Sequence, residues 1–178
     1  EKFLTPKKVV FLDRDGVINK KMGEGDYVKK WSEFEFLPGA ISALQLLNQS
    51  GYQIYVITNQ RGVARGIVSQ EDLEMIHRNM NDELKRRGAE ISGIYCCTHG
   101  KEDGCECRKP KAGLFFRAAR DHHIDLTQAV FIGDSSSDLE AGKNARCRTI
   151  LLRPHENLLQ AARSLAVLPS ELDKTNVV

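Results

Sequence analysis

Apolar and polar residues follow one another along this chain in blocks that predict strands and helices in turn. Five short apolar runs predict strands that are buried on both faces. These runs cover residues 8–12, 53–58, 93–97, 129–133 and 147–152. Strands of this kind are typical of a parallel sheet, in which helices cover both faces.

Between these runs, apolar residues recur at the spacing of an amphipathic helix. The first predicted helix follows Pro38-Gly39 and ends at Gly51, and the second is capped by Ser69 and runs to Gly88. Further helices are predicted at residues 112–122, 136–144 and 158–165. Because strands and helices alternate throughout, we expect one doubly wound, Rossmann-like α/β domain with a mostly parallel sheet over residues 1–178.

The composition of the chain agrees with a soluble domain of this kind. The chain has 178 residues, of which 41% are hydrophobic and 28% are charged. Its formal net charge of +2 gives no reason to expect nucleic acid or a membrane as a partner. No apolar run reaches the roughly 20 residues of a membrane-spanning helix, and the first residues lack the apolar stretch of a secretory signal. We therefore expect a cytoplasmic protein, and we expect it to be a monomer.

Two carboxylates lie at the end of the first predicted strand. Asp13 directly follows the strand, and Asp15 lies two residues further on. Open α/β sheets bind their ligands at the carboxyl ends of the strands. There Asp13 could attack a phosphoryl group to form an aspartyl-phosphate, while Asp15 protonates the leaving alkoxide and later activates water. The alternative is that both residues only form the turn before Gly16.

A second acidic motif follows the fourth predicted strand and contains Asp134 and Asp138. Asp13, Asp134 and a backbone carbonyl near Asp15 would hold a Mg²⁺, which offsets the repulsion between these carboxylates and a phosphate. Asp138 could hold one of the water ligands of this ion. Two acidic motifs, each after an apolar strand, favour a magnesium-dependent phosphoryl-transfer site over a pair of ordinary turns.

Hydroxyl, amide and cationic groups complete the predicted phosphate site. The Thr58 hydroxyl and the backbone N–H of Asn59 follow the second strand, and Lys109 would bind the same phosphoryl oxygens from another loop. Arg108 and Arg65 are candidates for an anionic second group on the substrate, because arginine binds such groups through two hydrogen bonds. The alternative for each arginine is an ordinary surface residue.

Four of the five cysteines lie within residues 96–107. Cys97, His99, Cys105 and Cys107 supply three thiolates and one imidazole, which is the ligand set of a closed tetrahedral zinc site. Such a site leaves no open position for water, so we expect structural Zn²⁺ in a loop over residues 97–107. The alternative is a chance cluster of reduced cysteines, and both interpretations favour a reducing compartment.

The segments DRDGVIN, ITNQ, RKP and GDSSSD resemble the four motifs of the haloacid dehalogenase superfamily. The zinc loop is similar to that of the branch that contains D-glycero-D-manno-heptose 1,7-bisphosphate phosphatase and histidinol-phosphate phosphatase. Members of this branch have no cap domain, which fits the short segment between Asp15 and Thr58. The resemblance covers nearly the whole chain and implies a capless phosphatase with catalytic Mg²⁺ and structural Zn²⁺.

Within this branch, two stretches favour a heptose bisphosphate as the substrate. GDYVKKWSEFEFLPGA and TNQRGVARG resemble the heptose enzymes, which implies release of the 7-phosphate on the route to bacterial lipopolysaccharide or surface glycans. The gap between His99 and Cys105 resembles the histidinol-phosphate enzymes, so histidinol phosphate or another small phosphomonoester is the alternative. A non-catalytic, zinc-stabilised binding module is a third hypothesis. Relatives often carry Lys or Arg where this chain has Ser135, so we expect one phosphate contact to be lost.

Overall fold

The computed structural model describes residues 7–166, in which five strands alternate with five helices. The strands are Lys8–Leu12 (β1), Tyr52–Asn59 (β2), Gly93–Cys97 (β3), Val130–Gly133 (β4) and Arg148–Leu151 (β5). The helices are Ala40–Gln49 (α1), Gln70–Arg86 (α2), Gly113–His122 (α3), Ser136–Ala145 (α4) and Leu158–Ala166 (α5). Residues 1–6 and 167–178, at the two ends of the predicted domain, lie outside the described residues.

The strands form one fully parallel sheet with the order β3-β2-β1-β4-β5. β1 lies at the centre, and Leu12 is in register with Val56 on one side and with Ile132 on the other. The chain therefore runs outward from β1 twice, once in each direction, and the doubly wound fold class is confirmed.

Successive residues of β1 point to opposite faces of the sheet and enter two separate cores. Val10 and Leu12 pack with residues of α1, α2 and α5, whereas Val9 and Phe11 pack with residues of α3 and α4. All four side chains are at most 1% exposed. A strand that is apolar at every position is thus explained by helices on both faces.

Local signals place the helix ends close to the predicted positions. The Ser69 hydroxyl accepts a hydrogen bond from the backbone N–H of Asp72 at 3.0 Å, which caps α2. Gly51 follows α1 with a φ of +88°, a left-handed conformation that glycine adopts at low cost. The predicted end of α2 at Gly88 is two residues too late, because helix ends fray and carry weaker signals than helix interiors.

The segment between β1 and β2 contains one short 3₁₀ turn, Trp31–Glu33, and α1. No further domain is inserted there, so the carboxyl ends of β1, β2 and β4 lie open at one edge of the sheet. No helix within residues 7–166 combines the length and the apolar character needed to cross a membrane.

Candidate active site

Lys109 is the central cation of the candidate site. Its Nζ lies 3.0 Å from Oδ1 of Asp13 and 2.7 Å from Oδ1 of Asp138, and it donates a hydrogen bond to the Ile57 carbonyl at 3.0 Å. Only 4% of the residue is exposed. Burial lowers the pKa of Lys109, but the two carboxylates outweigh this effect and raise it, so the ammonium stays charged. The predicted lysine therefore lies beside the predicted nucleophile as a fixed counterion.

The Asn59 side chain holds the backbone of Lys109. Its Oδ1 accepts a hydrogen bond from the Lys109 N–H at 3.0 Å, and its Nδ2 donates to the Lys109 carbonyl at 3.2 Å. The sequence predicted only a backbone contact from Asn59 to phosphate, so this second function was missed. The paired hydrogen bonds join the end of β2 to the lysine loop and fix the position of the cation.

Three carboxylates form an acidic cluster at the ends of β1 and β4. Asp13, Asp134 and Asp138 each offer an oxygen, and these oxygens lie within 4.8 Å of one another. Burial raises the pKa values of Asp13 and Asp134, and the neighbouring Asp138 adds to both shifts. Asp134 Oδ1 is buried and has no hydrogen-bond partner among residues 7–166. This cluster of hard oxygen donors, one of them unpartnered, fits a divalent cation such as Mg²⁺.

Gly16 allows the loop after β1 to approach this cluster. Its φ is +87°, and a Cβ built on it would lie 2.1 Å from Oδ2 of Asp134. A residue with a side chain would therefore displace Asp134 and strain the backbone at the same time. The glycine that follows the two aspartates is thus required by contact with the other acidic motif.

The Asp15 carboxylate lies outside the acidic cluster and accepts hydrogen bonds from three side chains. Oδ1 accepts from Arg14 Nη2 at 2.8 Å and from Asn19 at 2.9 Å, and Oδ2 accepts from Gln60 at 2.8 Å. Burial raises the pKa of Asp15, but Arg14 and these hydrogen bonds outweigh it and hold the pKa below its ordinary value. Gln60 also donates to the Thr58 hydroxyl at 3.0 Å, so it joins two predicted site residues.

Arg14, Asn19 and Gln60 were not predicted as site residues. The available signal was their place beside predicted site residues, in the segments DRDGVIN and ITNQ. Arg14 is fully buried, as is Asn19, and Gln60 is 3% exposed. Buried polar groups of this kind need partners, and here the shared partner is Asp15.

The structure brings the four predicted zinc ligands together. Cys107 Sγ lies 3.1 Å from both Cys97 Sγ and His99 Nδ1, and Cys97 Sγ lies 3.7 Å from Cys105 Sγ and 3.6 Å from His99 Nδ1. A tetrahedral site with Zn–S bonds near 2.3 Å places its sulfurs about 3.8 Å apart. One sulfur pair matches this separation and the other is tighter, so the donor set fits a zinc ion after a small expansion.

Both ends of the zinc loop are joined to regular structure. The Gln60 N–H donates to the Cys97 carbonyl at 2.7 Å, and the Gly113 N–H donates to the Glu106 carbonyl at 3.0 Å. A Cβ on Gly113 would lie 2.3 Å from that same carbonyl oxygen, so the start of α3 must be glycine here. The loop therefore ends at a fixed place, immediately before Arg108 and Lys109.

A cavity of about 500 Å³ opens beside Lys109 and the zinc loop. Arg108 lines it together with the exposed cations Lys101 and Lys111, and Arg108 Nη1 is buried without a hydrogen-bond partner among residues 7–166. Arg65 is exposed, and within the described residues it forms no ion pair with the site carboxylates. Of the two predicted arginines, only Arg108 is brought to the cavity.

The second acidic motif pairs with a lysine from another loop, while its own residue 135 is an uncharged serine. The Ser135 hydroxyl accepts a hydrogen bond from the Asp138 N–H at 3.2 Å and caps α4. Lys21 Nζ, from the loop after β1, lies 3.2 Å from Oδ2 of Asp134. A cation is therefore present beside the second acidic motif, although the residue after Asp134 carries no charge.

Comparison with known proteins agrees with this geometry. The chain belongs to the family described as polynucleotide kinase 3 phosphatase, whose model matches residues 8–149, and it is a phosphatase of the haloacid dehalogenase superfamily. The predicted superfamily is thus confirmed.

Curated relatives and a solved structure extend the comparison. The D-glycero-beta-D-manno-heptose-1,7-bisphosphate 7-phosphatase of Helicobacter pylori is 41% identical over 150 residues, which are 84% of this chain and 85% of the relative. The D-glycero-alpha-D-manno-heptose-1,7-bisphosphate 7-phosphatase of Mycobacterium bovis is 43% identical over 136 residues, or 76% and 71% of the two chains. A D,D-heptose 1,7-bisphosphate phosphatase from B. bronchiseptica, solved with magnesium and phosphate, has a TM-score of 0.78 and 35% identity and covers 92% of this chain and 89% of its own.

Proposed function

We propose that this protein is a magnesium-dependent phosphatase that releases the 7-phosphate of D-glycero-D-manno-heptose 1,7-bisphosphate through an aspartyl-phosphate intermediate. The observation that carries the proposal is the buried Lys109, which pairs with Asp13 and opens onto a cavity lined by further cations. The curated relatives, which are named for the same reaction, support the choice of substrate.

In the first half-reaction, an Asp13 oxygen attacks the phosphorus and the bond from phosphorus to the sugar oxygen breaks. The Thr58 hydroxyl and the Asn59 N–H donate to the phosphoryl oxygens, and the positive charge of Lys109 beside Asp13 stabilises the negative charge that is concentrated there in the transition state. Asp15 gives its proton to the leaving sugar oxygen. When bound, Mg²⁺ would be held by Asp13, Asp134 and a backbone carbonyl near Asp15, with Asp138 nearby, and would neutralise charge on the phosphate.

In the second half-reaction, Asp15 takes a proton from a water molecule that attacks the phosphorus. The bond from phosphorus to Asp13 breaks, which releases phosphate and restores both carboxyl groups. The low pKa of Asp15 in the free protein arises from Arg14 and its hydrogen-bonding neighbours. A negative phosphate beside Asp15 raises that pKa, because like charges disfavour the ionised form, so substrate binding favours the protonated acid.

The cavity cations favour a substrate with a second anionic group. Lys101, Arg108 and Lys111 would attract the remaining phosphate of a heptose bisphosphate. Histidinol phosphate instead carries an ammonium at its far end, which the same cations would repel. The cavity therefore favours the bisphosphate over the alternative, and relatives named for both the α and the β anomer leave both as candidate substrates.

The zinc loop supports this function by positioning residues rather than by chemistry. Zn²⁺ held by Cys97, His99, Cys105 and Cys107 would have no open coordination position. It would fix the loop that leads into Arg108 and Lys109. We further propose a single domain over residues 1–178 that acts as a cytoplasmic monomer and binds neither nucleic acid nor membranes.

The proposal is tested by phosphate release in the presence of Mg²⁺. The two anomers of D-glycero-D-manno-heptose 1,7-bisphosphate are compared with histidinol phosphate and with a heptose 7-phosphate. We expect kcat/KM to favour a bisphosphate by about 100-fold, which corresponds to about 2.7 kcal/mol. Equal turnover of the heptose monophosphate would contradict the function of the basic cavity, and a preference for histidinol phosphate would contradict the substrate.

The Asp13→Asn variant is the control for the chemistry. Asparagine keeps the size of the side chain but cannot form the acyl-phosphate, so we expect kcat to fall by more than about 10⁴-fold. Retention of activity with this variant would exclude Asp13 as the nucleophile.

A further inference from the structure

His77 is a partly buried histidine of α2 that the proposed reaction does not use. Its Nε2 lies 3.0 Å from Nη1 of Arg14, and its Nδ1 lies 3.8 Å from Sγ of Cys96 on β3. The ring therefore lies between the loop after β1 and the edge strand β3. A histidine in this place requires an explanation, because an apolar side chain would pack there without the cost of burying an imidazole.

The contact with Arg14 determines the state of the ring. An arginine can only donate hydrogen bonds, so His77 Nε2 must carry a lone pair and accept. The proton of the neutral ring then lies on Nδ1, which faces the Cys96 sulfur. Burial and the Arg14 charge also lower the pKa of His77 to about 3, so the ring is uncharged at neutral pH.

Arg14 transmits this contact to Asp15. Its guanidinium is fully buried, and its Nε and Nη2 donate to Asp15 Oδ1 at 3.2 and 2.8 Å while Nη1 points to His77. The Phe34 ring lies 5.9 Å away and covers the group. Both hydrogen bonds to Asp15 end at the same oxygen, so by themselves they allow the guanidinium to pivot about that oxygen. The hydrogen bond from Nη1 to His77 holds the opposite side of the group and prevents the pivot.

We propose that His77 is a positioning residue, which as the neutral Nδ1–H tautomer fixes the Arg14 guanidinium and thereby orients the Asp15 carboxyl toward the reacting oxygen. The proposal rests on the proposed function of Asp15 as acid and base. Loss of the acceptor would leave an N–H of Arg14 unpaired at a buried place and would let the arginine move with its carboxylate. Misplacement of a reacting group by about 1 Å can cost about 100-fold in rate.

The tautomer is tested in the wild-type protein, without any variant. Proteins labelled with ¹⁵N in the imidazole ring distinguish a protonated ring nitrogen from an unprotonated one. We expect His77 to show an unprotonated Nε2 and a protonated Nδ1 across neutral pH. A protonated Nε2 would overturn the proposal, because it excludes a hydrogen bond from Arg14. This measurement does not depend on the substrate.

The positioning function is tested with His77→Phe and His77→Gln. Phenylalanine fills the space without an acceptor, whereas the glutamine Oε1 can reach the place of Nε2 and accept from Arg14. With p-nitrophenyl phosphate at 25 °C, we expect His77→Phe to lower kcat by about 10- to 100-fold with KM changed less than about threefold. His77→Gln should restore most of kcat. Equal kcat for His77→Phe and the wild type would overturn the proposal.

Met80→Ala is the matched control for a structural effect. Met80 lies one turn further along α2, is fully buried and belongs to the core rather than to the Arg14 contact. We expect Met80→Ala to lower Tm at least as much as His77→Phe while kcat at 25 °C stays within about twofold of the wild type. A parallel loss of kcat in both variants would assign the effect of His77 to folding and overturn the proposal.

These experiments separate the proposal from the proposed function. A wild-type protein that hydrolyses p-nitrophenyl phosphate but neither anomer of the heptose bisphosphate would contradict the substrate, while the His77 comparison would stand. Turnover of the heptose bisphosphate with an unaffected His77→Phe variant would contradict only the positioning function.

Discussion

The acidic cluster and the zinc loop meet at Lys109, but they are held in place by different means. Asp13 and Asp134 follow buried strands, and Lys109 supplies a cation among the carboxylates within the protein itself. Residues 101–104 of the zinc loop are exposed, and the four candidate ligand atoms of the loop lie within 4.8 Å of one another. Packing and an internal ion pair position the carboxylate half of the site, whereas the loop half depends, in the function that we propose, on bound Zn²⁺.

Of the changes proposed, replacement of Lys109 should have the largest effect on stability and activity. Lys109→Met leaves Asp13 and Asp138 buried without their cation, which should lower the free energy of unfolding by about 3–5 kcal/mol in magnesium-free buffer. Loss of a preorganised positive charge beside the phosphate should lower kcat by about 10²- to 10³-fold. Denaturant titration and steady-state kinetics measure the two effects.

Lys111→Met is the matched control. Lys111 lies two residues away and pairs with Glu106 at 3.3 Å, with both side chains exposed. An exposed pair of this kind contributes at most about 1 kcal/mol. Similar losses of stability in both lysine variants would mean that Lys109 contributes no more than an exposed ion pair does. Its pairing with Asp13 and Asp138 would then not stabilise the acidic cluster.

Removal of zinc should have the next largest effect. Zinc-free protein, with Mg²⁺ restored, should keep its far-UV circular dichroism because the sheet and its two cores remain. We expect kcat to fall by about tenfold or more, because the interior of the loop, which leads into Arg108 and Lys109, is no longer held by its ligands. Unchanged activity in protein that retains less than about 0.25 zinc ions per molecule would show that packing alone positions the loop.

The smallest expected effect is a difference in thiol reactivity between Cys105 in the zinc loop and the buried Cys147. Burial raises the pKa of Cys105, but the Arg108 N–H and neighbouring thiols outweigh it and lower the pKa to about 7. Burial raises the pKa of Cys147 to about 12. A thiolate forms above its pKa, so alkylation of zinc-free protein by iodoacetamide should accelerate at Cys105 as the pH rises from 6 to 8 and then level off.

Cys147 should stay unmodified over this pH range, and zinc should protect Cys105. Peptide mass spectrometry at several pH values measures both rates. Rapid modification of Cys147 in folded protein would contradict its burial. Modification of Cys105 at an unchanged rate after zinc is added would contradict the assignment of the loop as a metal site.

The sequence predicted the strands and helices, and it named the carboxylates, the lysine and the cysteines that the structure brings together, because their signals were local. An apolar run followed by an aspartate or a threonine identifies a strand and the group at its end, as in β1 and β2. The four predicted zinc ligands lie within eleven residues, so their spacing alone indicated the cluster that the structure brings together.

The remaining contacts join residues that are far apart along the chain, and no local pattern reveals them. The inward direction of Lys109 depends on Asn59, which lies 50 residues before it. The partner of Arg14 is a histidine 63 residues later, on a helix that reads as ordinary amphipathic sequence. The place of Lys21 beside Asp134 likewise depends on how a glycine-rich loop folds back.

The attachment of the zinc loop at both ends has a consequence for how this protein can diverge. The hydrogen bonds at Cys97 and Glu106 set where the loop starts and stops, whatever lies between His99 and Cys105. Insertions and new side chains at residues 101–104 can therefore change what the cavity recognises without moving Lys109 or the sheet. New substrate preferences are accessible to evolution, or to a designer, through a few codons of one surface segment.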